Sequence, residues 1–212
     1  MKAWGIAITA VAAMTATFAI GLAGQTTNDG PQFTPQFTAD GRLTLPKDYR
    51  QWIFLSSGLG MTYGPAASAD PGHPMFDNVF VNPSSYRAFL ETGHWPDHTM
   101  FILEVRGATS HGSINNAGHY QGEIMGIEAE VKDEKRFPQK SAWFGFDGKE
   151  LATAFPPTSS CNSCHNQNAA VESTFVQFYP TLLEVATKKG TLNAAYLRKT
   201  AAEPAGAPPT AK

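Results

Sequence analysis

The sequence shows no surplus of either charge, no internal repeat and very little cysteine. Its 212 residues carry 16 Lys and Arg against 18 Asp and Glu. A chain without a basic excess has no long-range attraction to phosphate backbones, so we expect no nucleic-acid partner. The hydrophobic content of 42% and the charged content of 16% indicate one folded domain with a modest core.

The two ends of the chain differ in composition from its middle. Lys2 precedes an apolar stretch, residues 3–24, which predicts a secretory signal peptide or a retained membrane anchor, and with either one export to the periplasm. Residues 25–40 are then expected to form a flexible leader, 41–200 the folded domain, and the proline-rich residues 201–212 a disordered tail.

Short apolar runs separated by Gly, Pro, Asn or Asp predict a mainly antiparallel sheet. The runs are 52–55, 78–81, 99–106, 122–131 and 141–146. In the fourth run, Glu128 and Glu130 alternate with apolar residues, which predicts a half-buried strand with its carboxylates on one face.

Helices are predicted between and after these strands, so the expected fold class is α+β. Asn82 can cap a helix that begins at Pro83 and ends at Gly93. Helical spacing continues after residue 170 up to Pro180, and a second helical stretch ends at Gly190. The residues that carry the first of these two patterns are Val171, Phe175, Phe178 and Tyr179.

The only two cysteines stand in the motif Cys161-Asn162-Ser163-Cys164-His165. This is the spacing of c-type haem attachment, in which two thiols add to the haem vinyl groups and the histidine binds the iron. We therefore predict one haem c, held by Cys161 and Cys164, with His165 as an axial ligand.

Three other uses of this motif are open. A thioredoxin-type redox pair needs a strand-to-helix junction early in a βαβ unit. A structural zinc site needs four ligands, and the sequence has no second Cys-rich or His-x-x-x-His cluster. A disulfide across so short a loop would be strained.

The residues after His165 include neither Met nor His, so a sixth iron ligand would have to come from upstream. Each upstream Met or His, taken singly, is more often an ordinary core methionine or loop histidine than an iron ligand. An open iron position is therefore the preferred hypothesis. An electron-transfer cytochrome with an upstream ligand is the alternative. The upstream candidates for a sixth ligand are Met61, Met75, Met100, Met125, His73, His94, His98, His111 and His119.

Several segments resemble the cytochrome P-460 family over about residues 45–190. They are Tyr49-Arg50-Gln51-Trp52, FDNVFV at 76–81, TGHWPD at 92–97, Lys132-Asp133 and the late Cys-x-x-Cys-His. The resemblance implies a periplasmic, mainly β-sheet mono-haem protein with five-coordinate iron. It also implies a homodimer, and we expect a redox partner protein.

One departure from that family concerns catalysis. In its hydroxylamine-oxidising members a lysine followed by Glu is cross-linked to the haem, whereas here Leu103 precedes Glu104 and residues 99–106 contain no lysine. The chain therefore looks similar to the uncross-linked branch, the β-sheet cytochromes c-prime, which bind small gases such as nitric oxide. Hydroxylamine oxidation and peroxidase-like turnover are enzymatic hypotheses that the missing lysine weakens.

Candidate residues for the ligand side of the haem follow from these patterns. Glu104 is a weak catalytic candidate, because a carboxylate on a half-buried strand needs a partner and pairing with Arg106 is the simpler account. Four strand aromatics are candidates to line the distal pocket, although strand aromatics are more often plain core. They are Trp52, Phe54, Phe76 and Phe80.

Overall fold

The computed structural model describes Met1 and residues 32–62 and 73–202. Five strands form one antiparallel sheet whose spatial order follows the chain, β2-β3-β4-β5-β6, and β1 pairs with β7 in a small second sheet. The strands are β1 Leu43–Thr44, β2 Ile53–Leu59, β3 Met75–Val81, β4 Met100–Thr109, β5 Tyr120–Lys132, β6 Ser141–Gly145 and β7 Leu151–Ala152.

Four α-helices lie between and after the strands: α1 Pro83–Thr92, α2 Ser160–Asn168, α3 Pro180–Lys189 and α4 Ala194–Ala202. Single 3-10 turns occur at Tyr49–Gln51 and Val176–Phe178. The predicted α+β class with a mainly antiparallel sheet is confirmed, and each predicted strand is found. The two-residue strands β1 and β7 were not predicted, because so short a run has no readable period.

Both faces of the large sheet are covered by apolar side chains. On one face, alternate residues of β4, β5 and β6 pack against the N-terminal segments, and we call this cluster the first core. It contains Leu43, Tyr49, Trp52, Met100, Ile102, Ala129, Val131, Ala142 and Phe144. On the other face, Val81 and Phe101 pack against α1, α3 and the segment that follows α2, and this cluster is the second core.

Residues 32–40, part of the predicted leader, lie against the first core. Phe33 packs edge-on to Trp52 with ring centroids 4.8 Å apart, and Phe37 contacts the rings of Phe137 and Phe144. The predicted signal or anchor and the rest of the leader, apart from Met1, lie outside the described residues, as does the predicted tail from 203 onwards. Within the described ranges, no helix is long and apolar enough to cross a membrane.

Helix α1 has the predicted bounds, but Asn82 does not cap it with its side chain. Gly93 ends the helix in the left-handed conformation, with φ of 75°. The Asn82 side-chain oxygen instead accepts the backbone N–H of Met100 at 2.8 Å, while its amide donates to Ser85 Oγ. Asn82 therefore ties the start of α1 to the start of β4.

The helix predicted from Val171 to Pro180 is wrong. The segment forms a tight turn in which Thr174 Oγ1 donates to the carbonyl of Val171, and Glu172 has a positive φ of 51°, which no α-helix contains. Trp95 Nε1 donates to Thr174 Oγ1 at 2.8 Å and holds the turn in the second core. Tertiary contacts thus override the helical spacing.

Glu104 lies on the first-core face of β4, where its side chain is 3% exposed. It accepts hydrogen bonds from Tyr49 Oη and from the guanidinium groups of Arg106 and Arg50. Burial by itself would raise its pKa, but the hydrogen bonds from Tyr49, Arg106 and Arg50 outweigh burial and lower the pKa. The expected pairing of Glu104 with Arg106 is therefore found, and the carboxylate joins the 3-10 turn to the sheet.

We expect Glu104→Gln to lower the free energy of unfolding by about 2–3 kcal/mol, because it removes the charge that holds two guanidinium groups and a buried hydroxyl. The folded-state pKa lies below the ordinary value of 4.5, so this stabilisation is present above about pH 4.5 and is lost as the pH falls through the folded-state pKa. Urea denaturation at several pH values measures both effects.

Glu150→Gln is the matched control for this change. Glu150 pairs with Lys47 at 3.6 Å, and both side chains are largely exposed. Loss of this ion pair should lower the free energy of unfolding by less than about 0.5 kcal/mol at any pH. Equal costs for the two variants would contradict a structural role for Glu104.

Candidate functional site

Helix α2 carries the cysteine motif. Cys161 and Cys164 lie one helical turn apart on the same face, both half-buried and neither in a disulfide. Asn168 Nδ2 donates to the carbonyl of Cys164 at 2.9 Å in the last turn of the helix. The two thiols and the following His165 therefore reach the same wall of one cavity.

The cavity has a volume of about 430 Å³ and lies between α2, the segment after it and the face of the large sheet that carries the second core. This volume is within the range of cofactor sites. Apolar side chains supply most of the wall, and its polar part includes three carboxyl groups. The wall residues include Met61, Asp77, Val79, Phe101, Leu103, Glu128, Glu130, Trp143, Phe175, Phe178 and Tyr179.

Strand alternation decides which side chains face the cavity. Leu103 on β4 pairs with Glu128 on β5, and Phe101 pairs with Glu130, which in turn pairs with Trp143 on β6. Residues in directly opposite register have their side chains on the same face of a sheet. The predicted carboxylate face of β5 is therefore the wall of the cavity, and Glu130 is only 8% exposed.

The environment of His165 fits a metal ligand. Its Nδ1 lies 2.6 Å from the carbonyl oxygen of Ser173, so Nδ1–H can donate there and leave Nε2 for a metal. The ring packs against Phe175 and Trp143 at centroid distances of 4.3 and 4.9 Å. Burial lowers the pKa of His165, which keeps the imidazole neutral as iron binding requires.

Glu130 was not singled out from the sequence, although it lies beside His165. Its carboxyl accepts a hydrogen bond from Ser173 Oγ at 2.5 Å, and its second oxygen lies 3.6 Å from His165 Nδ1. Burial raises the pKa of Glu130 to about 8, against the opposing hydrogen bonds from Ser173 and Ser141. The alternating pattern of β5 indicated a carboxylate here, but nothing in the sequence shows that the motif helix covers it.

The wall of the cavity fits haem. Most of it is apolar, as a porphyrin ring requires, and its polar side chains include the two thiols and the imidazole of the motif. Trp143 is also part of this wall, and its indole Nε1 is buried without a hydrogen-bond partner in the described part of the chain.

None of the four aromatic candidates for the distal pocket lines this cavity, so they are corrected here. Trp52 belongs to the first core, and Phe80 packs against that core from the same face of the sheet. The rings of Phe54 and Phe80 pack edge-on with centroids 5.6 Å apart, and Phe54 is 53% exposed. On β3 the odd-numbered Asp77 and Val79 face the cavity, which sends Phe76 and Phe80 to the opposite side.

Glu104 also faces away from the cavity, because it shares the first-core face with Ile102. Of the nine upstream side chains that could supply a sixth ligand, only Met61 is part of the cavity wall. Met100, for example, is fully buried in the first core. The structure therefore brings Cys161, Cys164 and His165 together at one cavity, which Met61 also lines.

The structure gives no support to the other uses of the motif. All strand pairings of the described residues are antiparallel, so no βαβ unit places the cysteines as in thioredoxin. Among the described residues, the one group of three His, Cys, Asp or Glu side chains close enough to hold a metal is Asp97, His98 and Asp133. Neither cysteine belongs to this group, so a zinc site at the motif has no support.

Comparison with known proteins agrees with this geometry. The family model for cytochrome P460 matches residues 46–176, more than half of the chain. The chain belongs to the cytochrome P460 family. Membership implies haem as the cofactor, in agreement with the cavity wall. No match was found among curated proteins.

The face assignment predicts different outcomes for two similar substitutions. Leu103→Trp adds bulk inside the cavity and should lower the haem bound per chain at least several-fold, because the cavity cannot hold both the indole and the haem. Phe54→Trp, on the exposed opposite face, should leave haem content unchanged. Absorbance ratios and intact mass measure haem content, and circular dichroism checks folding. A similar loss in both variants would refute the assignment.

Proposed function

We propose that this chain is an exported c-type cytochrome with one haem, bound covalently through Cys161 and Cys164 and ligated by His165. Its iron has an open sixth position that binds small nitrogen ligands such as nitric oxide. The observation that carries the proposal is the meeting of both thiols and the imidazole on the wall of one apolar cavity. Haem, when bound there, supplies an iron coordination position that accepts a diatomic gas.

Covalent attachment is supported by the state of the two thiols. Cys161 and Cys164 are half-buried, outside any disulfide, and one helical turn apart. This spacing lets both sulfurs add to the vinyl groups of one haem. His165, held by the Ser173 carbonyl through Nδ1, keeps Nε2 for the iron.

Gas binding is favoured over hydroxylamine oxidation by the composition of the wall. Leu103 stands where the cross-linked members of the family carry lysine, and no lysine is among the cavity residues. An alkyl side chain cannot form a covalent bond to the haem ring. Asp77 and Glu128 contribute carboxyl groups to the wall, and desolvation raises the pKa of both. These carboxyl groups could serve hydroxylamine oxidation or peroxidase-like turnover, but only on a haem that has no covalent bond to Leu103.

The proposal includes the setting in which the protein works. The apolar stretch 3–24 supports export to the periplasm, by a cleaved signal or a retained anchor. An exported haem that changes oxidation state needs a redox partner protein. We also propose a homodimer, on family resemblance alone.

An electron-transfer cytochrome is the second candidate, and Met61 is the observation that favours it. A methionine thioether is a usual sixth ligand in cytochromes c. Met61 lines the same cavity as His165, and it packs closely on Gly58 near the end of β2. In that case the sixth position would be closed by sulfur.

Carbon monoxide and nitric oxide distinguish the two candidates. We expect the reduced protein to be high-spin and to bind both gases, with a shift of the Soret band, because an open position needs no ligand displaced. Met61→Ala should leave the spin state unchanged. A low-spin spectrum that ignores both gases in the wild type, and that turns high-spin in Met61→Ala, would overturn the open-site proposal in favour of electron transfer.

Covalent attachment is tested by Cys161→Ser combined with Cys164→Ser. The double variant should lose haem staining on a denaturing gel, because no thioether can form. Ser163→Ala, on the exposed side of the same helix turn, is the matched control and should keep it. Denatured wild-type protein should give the spectrum of ordinary c-type haem, without the further red shift of a cross-linked ring. Unchanged staining in the double variant would refute attachment.

A further inference from the structure

Ser173 makes two hydrogen bonds, one to the motif helix and one to the large sheet. Its backbone carbonyl oxygen lies 2.6 Å from His165 Nδ1, and its hydroxyl donates to the Glu130 carboxyl at 2.5 Å. A carbonyl oxygen can only accept, so Nδ1 carries the hydrogen of the first bond. The place of Ser173 therefore decides how well the imidazole of the motif is bonded.

Glu130 is a rigid anchor for this residue. It is 8% exposed and lies on β5, which pairs with β4 on one side and β6 on the other. Ser141 on β6 also donates to its carboxyl, and the Oγ atoms of Ser141 and Ser173 are 3.4 Å apart. A central strand of a sheet is among the last parts of a fold to open. The hydroxyl of Ser173 is thus tied to a fixed point.

The turn around Ser173 and the anchor at Glu130 have different tasks. The backbone N–H of Thr174 donates to the carbonyl of Val171 at 2.8 Å. In a trans peptide the N–H and C=O point in opposite directions, so this bond directs the Ser173 carbonyl away from the turn. The turn gives the carbonyl its direction, and the bond to Glu130 sets how far it lies from the motif helix.

Glu130 reaches His165 through Ser173 and not by a bond of its own. The second Glu130 oxygen is 3.6 Å from Nδ1, which is beyond hydrogen-bond distance, whereas the Ser173 carbonyl is a full ångström closer. A hydrogen bond from the non-ligating nitrogen of a histidine orients the ring and raises its basicity towards a metal. Such bonds are one of the means by which proteins tune a haem iron.

We propose that Glu130 is a positioning residue for the axial histidine. It holds the Ser173 hydroxyl, so that the Ser173 carbonyl keeps its bond to His165 Nδ1–H. The imidazole then donates more electron density to the iron, which strengthens the iron–histidine bond and lowers the reduction potential. The inference rests on the proposed function only in requiring that His165 ligates the haem iron.

Resonance Raman spectra of the ferrous holoprotein test this through the iron–histidine stretching band. Ser173→Ala removes the hydroxyl and keeps the carbonyl, and Glu130→Leu removes the acceptor. In both variants the band should move to lower frequency and the reduction potential should rise, because a looser Nδ1–H bond makes a weaker donor. Glu130→Gln keeps an acceptor oxygen for the Ser173 hydroxyl and should retain the wild-type band.

Glu128→Leu is the matched control, since it makes the same change two residues earlier on the same face of β5. It should leave the band in place. Wild-type bands in Ser173→Ala and Glu130→Leu would overturn the proposal, as would an equal shift in Glu128→Leu. A shift in Glu130→Gln as large as that in Glu130→Leu would show that the carboxylate acts by its charge, and positioning through Ser173 would then be wrong.

Failure of the proposed function is recognised separately. If the iron is six-coordinate or lacks a histidine ligand, the band is missing from the wild type and not merely shifted in a variant. The Nδ1–H signal of His165 in the low-spin ferrous protein, labelled with ¹⁵N-histidine, then decides the question. Ser173→Ala should speed its exchange with solvent about two- to tenfold, the range expected for loss of one hydrogen bond. Unchanged exchange would overturn the proposal, and this reading stands even if Glu130→Leu does not fold.

Discussion

The period-two alternation of the central strands is the constraint on which the rest of this structure depends. Strands β4, β5 and β6 give one set of side chains to the first core, among them Ile102, Ala129 and Phe144. The intervening side chains must then face the other way. Leu103, Glu130 and Trp143 consequently form the floor of the cavity that α2 closes. A shift of one residue in register would exchange the two sets and remove the site.

The cavity floor carries polar groups that an ordinary core would exclude. Glu130 is satisfied by Ser173, and Ser173 also accepts the Nδ1 hydrogen of His165 through its backbone carbonyl. The hydroxyl and the backbone carbonyl of Ser173 thus link the sheet to the motif helix. Trp143 has no such partner among the described residues. Buried polar groups are costly in an apolar core, and hydrogen bonds of the kind that Glu130 and His165 make with Ser173 offset this cost.

Sequence patterns predicted the fold well where neighbouring residues alone decide the local structure. The five strands and α1 follow from alternation, from Pro83 and from Gly93, whose left-handed conformation ends the helix. The prediction failed after α2, where Val171 and Phe175 have helical spacing but the chain turns at Glu172. Asn193 Nδ2 donates to the carbonyls of Ala169 and Glu172, more than twenty residues before it in the chain. No local pattern contains such a contact.

The sequence by itself determined that Cys161, Cys164 and His165 lie together on one helical turn, because this spacing is a local property. It also determined which side chains alternate along each strand, but not which face of the sheet borders the cavity. That choice was made by tertiary structure: the N-terminal phenylalanines and Trp52 fill one face, and α2 leaves room on the other. The four aromatic candidates therefore lie away from the cavity, and Glu130 and Trp143 were missed as cavity residues. The sequences of β3, β4 and β6 carry apolar residues on both faces, and only packing distinguishes those faces.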